Sequence, residues 1–222
     1  RDSLSALHAL KRDHISRWDL AEAACHIEID LARHPVGKQD QYVAAWGGIN
    51  CYEVDTSGHV TITPLHLPDY FQEDLERHLL LFYLGITRQS SAILAQQTAD
   101  TSSGDAVVTD SLHRTLELGR EVKAVLEGGD LAGFGQLLHE HWTNKKRRSP
   151  QISSPVIDAA YETALAAGAI GGKLMGAGGG GFLLAVAPGQ TYKKVRSTMA
   201  ARGYRPMPFK FDFEGAKILL DV

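Results

Sequence analysis

Five glycines among the six residues from Gly176 to Gly181, broken only by Ala177, are the part of this sequence best suited to chemistry. Without side chains, such a run can take positive φ and bring its backbone N–H groups close to a ligand. Rows of N–H groups in a concave loop favour anions, phosphate above all. The run contains G-x-G-x-x-G, yet the dinucleotide fingerprint needs a strand before the glycines and a helix opening from them. Here SSPVIDAAYETALAAG is predicted as a helix before the loop and FLLAVA as a strand after it, so that reading fails on context. No Gly-Lys-Ser/Thr closes the run, which removes a Walker A loop. The competing reading is a tight turn whose glycines only permit close packing. Five glycines favour the anion loop.

A second group of candidates lies between His26 and Gly48, HIEIDLARHPVGKQDQYVAAWGG. Glu28 is placed on a helix, beside Ile27 at the edge of the buried face. Asp40 is placed in a loop after Gly37, two residues from Lys38. Phosphoryl transfer needs an acidic residue to hold a metal and a group that orients or deprotonates the attacking hydroxyl. One helical and one loop carboxylate could divide those tasks, and magnesium asks for only one or two carboxylates. Spacing alone explains the pair more simply as a surface charge and a loop-forming Asx residue. His139 and His141 stand two apart on a predicted helix and face different directions, so no zinc site is indicated. Ser90 and Ser91 lie in no G-x-S-x-G context, which leaves a hydrolase triad without support.

The elements that must position these residues are readable from periodicity. Leu4, Leu7 and Leu10 mark a helix; Ser16 to Asp19 has capping-box form, followed by Leu20, Ala23, Ala24, Ile27 and Leu31 at helical spacing. INCYEV and HVTITPL are strands of a hairpin turning at Asp55 to Gly58, and HLLLFYLG is a buried strand. Helices follow over Ile93 to Gln97, Val108 to Leu126 and Leu131 to Trp142, with TADTSSGDA as a loop between the first two. After the glycine loop come a strand (Gly181 to Ala187), a helix (Gln190 to Arg202) and two strands (Tyr204 to Phe213, Ala216 to Leu220). Helices grouped against short antiparallel strands make an α+β fold. A boundary falls near Leu65 to Pro68, giving domains 1–66 and 67–222.

The chain has 222 residues, 44% hydrophobic and 22% charged, with net charge −3, ordinary for a globular protein and against a nucleic-acid binder. The basic cluster Lys145 to Arg148 is expected to be a solvated, dipole-favourable helix end. No apolar run approaches the ~20 residues of a membrane helix. RDSLSALHAL has the form of neither a signal nor a transit peptide. Cys25 and Cys51 form no framework and suit a reducing, cytoplasmic setting as buried small apolar residues.

Taken together, GGKLMGAGGGGFLL resembles the third signature motif of the GHMP small-molecule kinases, and GKQDQYVAAWGG resembles the segment with the catalytic aspartate in their sugar-1-kinase branch. LFYLGITRQSSAIL, the stretch from HEHWTNKKRRS to the loop, and FKFDFEGAKIL extend the match over nearly the whole chain. The combination is most similar to the D-glycero-D-manno-heptose 7-phosphate kinases, with fucokinase-like enzymes as relatives.

The resemblance implies ATP- and Mg²⁺-dependent phosphorylation of an anomeric hydroxyl, giving a 1,7-bisphosphate. It makes Asp40 the base or hydroxyl-orienting residue and Glu28 the magnesium ligand. Gly176, Ala177, Gly178, Gly179, Gly180 and Gly181 then shape the site beside the phosphates. Lys38 would keep Asp40 ionised or bind substrate phosphate. Arg88, Lys173 and Lys210 are the candidates for a cationic pocket around a phosphate already on the sugar. The implied fold is the second half of a ribosomal-S5-like domain followed by a ferredoxin-like domain. The family's first motif and its second, a Pro/Gly/Ser-rich phosphate loop, have no counterpart here, so the chain is expected to be a piece of a longer kinase. Another sugar as acceptor, or a non-catalytic binding module, are the alternatives. Partners are small molecules, a sugar phosphate and ATP; neither a nucleic-acid polymer nor a membrane is indicated, and a homo-oligomer is compatible with the sequence.

Overall fold

The computed structural model describes residues 2–86 and 90–218. They fall into two units: the chain up to Leu65 together with the chain from Phe211, and His66–Lys210. The expected second domain ran to residue 222, but the segment after Lys210 returns to the first unit. Backbone contacts explain the return. Gly48 N–H donates to the Asp212 carbonyl at 2.6 Å, and the Arg17 guanidinium donates to the Glu214 carbonyl at 3.0 Å.

In the first unit, α1 (Asp2–Leu10) and α2 (Arg17–Cys25) are followed by a π-helical turn (His26–Leu31), α3 (Gln39–Trp46) and the hairpin β1 (Asn50–Val54) and β2 (Val60–Pro64). Ser16 caps α2 as expected, its hydroxyl accepting from Asp19 N–H at 3.0 Å. Leu20, Ala21, Cys25, Tyr42, Ala45 and Val60 form the core, with Trp18 edge-on to Tyr42. The expectation of one regular helix through Leu31 is corrected. The wider π turn shifts the register, so Ile27 and Leu31, assigned to the buried face, are 46% and 67% exposed.

The second unit runs α4 (Asp69–His78), β3 (Leu79–Tyr83), α5 (Ser90–Ser102), α6 (Ala106–Glu127), α7 (Leu131–Lys146), α8 (Pro155–Ala167), β4 (Gly171–Leu174), β5 (Phe182–Val186), α9 (Thr191–Ala201) and β6 (Arg205–Met207). Its four strands lie in the order β4-β5-β3-β6, every neighbour antiparallel. That is the β-α-β-β-α-β arrangement of a ferredoxin-like layer, with α5 to α8 inserted as the first crossover. Alternation along the strands sends Leu80 and Phe82 of β3, Leu183 and Ala185 of β5 and Leu174 of β4 into one core. Ile157, Ala160 and Ala164 of α8 and Val195 and Met199 of α9 close over it.

Four local expectations change. The glycine loop does not follow a helix directly: β4 intervenes, and the loop joins the two strands of a hairpin. Helix α5 continues through Ser102, leaving only Ser103–Asp105 as connection, because Thr98 and Thr101 donate to carbonyls one turn back and so satisfy themselves within the helix. The long strand expected from Tyr204 shrinks to Arg205–Met207 because Pro206 and Pro208 remove ladder donors. Ala216 to Ile218 form no strand, and Leu219 and Leu220 lie outside the described residues.

Candidate active site

Helix α7 is built by a stripe of apolar residues, Leu131, Phe134, Leu138 and Trp142, recurring at three and four and all buried. Asp130 caps it, accepting from Gly133 N–H at 2.8 Å. The next place on that stripe is Lys145, which is therefore 8% exposed rather than solvated. His141, Lys145 and Arg148 follow each other at four and three residues, so they share one side of the helix end. The expectation of a solvated basic end is corrected for Lys145 and Arg148.

Strand β4 supplies a further cation. A Cβ on Gly171 would lie 1.8 Å from the Gly135 carbonyl oxygen and 3.2 Å from His139 Cβ, so this face of the strand is pressed against α7 and only glycine fits. Lys173 lies two residues on, on the same face. It is close enough to Lys145 and His141 to act on both electrostatically.

The cluster is short of negative charge. Among the described residues no carboxylate pairs with Lys145, Arg148 or Lys173, and Lys173 has neither hydrogen-bond nor ion-pair partner. Lys145 gives one N–H to the Gly176 carbonyl oxygen. Arg148 is held from α6, its Nε donating to Ser111 Oγ at 2.9 Å and its Nη2 to Thr115 Oγ1. Asn144 binds the same turn of α6 through the Ser111 carbonyl at 2.8 Å. Burial first, then Lys173 and Arg148, pushes the Lys145 ammonium down to about 8. Burial and the three cations push His141 down to about 3, so its ring is neutral at physiological pH, and its Nδ1 is buried with no partner. Burial followed by Arg148 also lowers Lys173.

The loop itself is only partly the anion cradle that its glycines predict. Gly179 N–H donates to the Ile152 carbonyl at 2.9 Å and Gly181 N–H to the Ile86 carbonyl at 2.7 Å. Those two amides hold the loop to the domain instead of facing a ligand. Gly178 combines φ of +117° with an approach of 3.0 Å from a would-be Cβ to Ile152 O, so close packing is part of the reason for the glycines.

Within the first unit, Asp40 stands in the first turn of α3 and is exposed, where a loop was expected. Lys38, expected beside Asp40, places its ammonium on both Glu22 oxygens, at 2.9 and 3.0 Å. Burial pushes the Glu22 carboxyl up, but hydrogen bonds from Tyr42 and Lys38 outweigh it, and the group rests below its ordinary value. Glu28 lies on the π turn and accepts from the Gln41 amide at 2.6 Å; the Gln41 Oε1 is buried with no partner. A carboxylate beside an orphaned amide oxygen is a donor set that suits magnesium. No group of three or more His, Cys, Asp or Glu among the described residues is placed to hold a metal ion.

Of the remaining candidates, Lys210 is exposed and paired with Glu76 at 2.6 Å. It lines a groove of about 620 Å³ with Arg77, Tyr192 and Phe209, and the structure does not bring it to Lys173. Arg88 lies outside the described residues. No described helix is long and apolar enough to cross a membrane.

Residues 122–205 match the family model for the C-terminal domain of GHMP kinases. The chain is 29% identical over 204 residues to D-glycero-alpha-D-manno-heptose 7-phosphate kinase of Campylobacter jejuni, covering 91% of this chain and 59% of that protein. A crystal structure of a D-glycero-D-manno-heptose 1-phosphate kinase from Bacteroides thetaiotaomicron superposes with a TM-score of 0.72 at 25% identity, over 95% of this chain and 57% of that one. A sugar kinase structure from Campylobacter jejuni gives 0.73 at 25%, over 96% and 60%. The chain thus spans a little under two thirds of the length of these relatives.

Proposed function

We propose, for a chain whose residues 122–205 carry the C-terminal domain of the GHMP kinases, that the protein is an ATP-dependent sugar kinase acting on D-glycero-D-manno-heptose 7-phosphate. The anomeric oxygen attacks the γ-phosphorus of ATP, the bond to the β–γ bridging oxygen breaks, and ADP leaves with the 1,7-bisphosphate as the other product. Asp40 takes or orients the hydroxyl proton, a role that calls for an exposed carboxylate able to reach a substrate oxygen. Glu28, with the Gln41 oxygen beside it, would hold Mg²⁺. That ion would supply positive charge to offset the charge developing on the transferred phosphoryl group.

The observation that carries the reading is the hairpin loop Gly176–Gly181, tied through Gly176 to a buried lysine in a group of cations that no carboxylate among the described residues pairs. A neutral metabolite gives no reason to bury such a group; a phosphate does. ATP-linked metabolism and two cysteines outside any disulfide favour a cytoplasmic location.

The test is a panel of sugars with ATP and Mg²⁺: heptose 7-phosphate, unphosphorylated heptose, fucose, mannose and galactose. The reading requires the highest kcat/KM with heptose 7-phosphate and a product phosphorylated at C1. Preference for a neutral sugar would replace the substrate, and transfer to none of them would overturn the kinase assignment.

A further inference from the structure

We infer that Lys145, Arg148 and Lys173 form a binding site for a phosphate monoester dianion, and that the phosphate it takes is the one already carried by the acceptor sugar. The second half of this inference rests on the kinase reading above; the first half does not.

Two secondary-structure elements and one loop deliver the groups. The end of α7 carries His141 and Lys145, the turn just after it carries Arg148, and β4 presents Lys173 on the face that packs against α7. Lys145 is anchored to the loop by its bond to the Gly176 carbonyl oxygen, which leaves two of its three donors for a ligand. Arg148 is fixed by Ser111 and Thr115 through Nε and Nη2, so its position is set before any ligand arrives. Lys173 meets no described partner at all. The buried, partnerless His141 Nδ1 supplies a further polar atom at the same place.

A folded chain does not gather three half-buried or buried cations without counter-charge for stability. Each is desolvated, and each repels the others. An anion that brings two negative charges and several acceptor oxygens removes both penalties, and phosphate accepts such bonds more strongly than neutral groups do. The absence of carboxylates among the described neighbours also selects between two sources of phosphate. Nucleotide phosphates arrive with a divalent cation that prefers carboxylate oxygens, and such a cation would add to the repulsion here. A metal-free monoester fits the cluster as it stands.

The site also gives the unshifted reason for a specificity step. An acceptor lacking the phosphate leaves three cations desolvated and unpaired, so the unphosphorylated sugar is rejected more strongly than loss of one contact would suggest.

The experiment has two arms on the same purified protein. In the first, calorimetric titration in Mg²⁺-free buffer uses methyl phosphate and heptose 7-phosphate against wild type, Lys173→Met and Arg148→Lys, with a thermal melt of each to verify folding. Affinity for both ligands should fall about 30-fold or more in Lys173→Met, the scale of lost charge-assisted hydrogen bonds. The fall should be smaller in Arg148→Lys, which keeps the charge and loses the planar fork. Equal affinity in wild type and Lys173→Met, with both folded, overturns the site. In the second arm, KM for heptose 7-phosphate should rise in Lys173→Met while KM for ATP stays within about twofold, and the preference for heptose 7-phosphate over heptose should collapse by the same ~30-fold. A rise confined to the KM for ATP would move the site to the nucleotide and overturn the acceptor assignment. Methyl phosphate binding lost in the variant, with no sugar turned over by wild type, would retain the phosphate site and remove the kinase reading.

Discussion

The ammonium of Lys145, buried near the end of α7, donates to the carbonyl oxygen of Gly176, the first glycine of the β4–β5 hairpin loop. One lysine therefore links the helix that gathers positive charge to the loop that the sequence marks for anions. The bond also explains how a charge can persist at that depth, since it returns one of three hydrogen bonds lost from water.

The titration of Lys145 predicts opposite pH responses for stability and binding. Its folded value of about 8 lies below that of an unfolded lysine, ~10.4, so between these limits the unfolded chain binds more protons and stability rises with pH. Below pH 8 the buried charge costs the unliganded protein about 3 kcal/mol. Lys145→Met should therefore raise the thermal midpoint at pH 7 without ligand, and the gain should vanish above pH ~10.4. Affinity for phosphate should move the other way, weakening as pH rises through about 8 and the ammonium is lost. Melting curves and phosphate titrations at pH 7, 8 and 9 check both signs.

Asp40→Asn tests the assignment of the acceptor-orienting group. An exposed residue in the first turn of α3 tolerates the change in folding terms, at ~0.5 kcal/mol for weaker interaction with the helix dipole. Turnover should drop by ~10³-fold, in the range for a lost general base, with nucleotide affinity retained. Unchanged turnover would take Asp40 out of the reaction.

Lys38→Met separates two roles for that lysine. Because its ammonium rests on Glu22, the variant should lose about 1 kcal/mol of stability, yet the pH dependence of kcat should stay where it is. The stability difference has a defined window. Glu22 sits below its ordinary value when folded, so the contribution is present above about pH 4.3 and is lost as pH falls through the folded value. A displaced kcat profile would restore Lys38 as the partner of Asp40.

Gly171→Ala brings the shortest would-be Cβ approach of any glycine described. A Cβ there would fall 1.8 Å from the Gly135 carbonyl oxygen, a backbone atom of α7, so strand and helix must shift apart to admit it. The expected loss is about 3 kcal/mol or more, read as a lowered midpoint in urea.

Much of the framework was legible in the residues. The cap at Ser16, the β1–β2 hairpin and the buried strand β3 each follow from local signals that tertiary packing did not oppose. The π turn was not legible, because Leu20, Ala23, Ala24, Ile27 and Leu31 satisfy helical spacing by themselves. Only the packing of Leu20, Ala21 and Cys25 with Tyr42 shows that the register slips after Cys25. Strand β4 was hidden for a related reason: two of its four residues are glycines, which have low strand preference, and its place is set by pairing with β5 and by contact with Gly135.

The sequence by itself determined that a glycine-rich loop exists and which carboxylates are candidates, since backbone freedom and residue chemistry are local properties. Tertiary structure decided where the charges go. It took Lys38 to Glu22, committed the Gly179 and Gly181 amides to carbonyls, and drew Lys145 inward beside Lys173. The stripe running from Leu131 through Trp142 to Lys145 was in the sequence, but its meaning depended on what lay opposite. Desolvation and repulsion are set by neighbours in space, and linear spacing alone does not contain them.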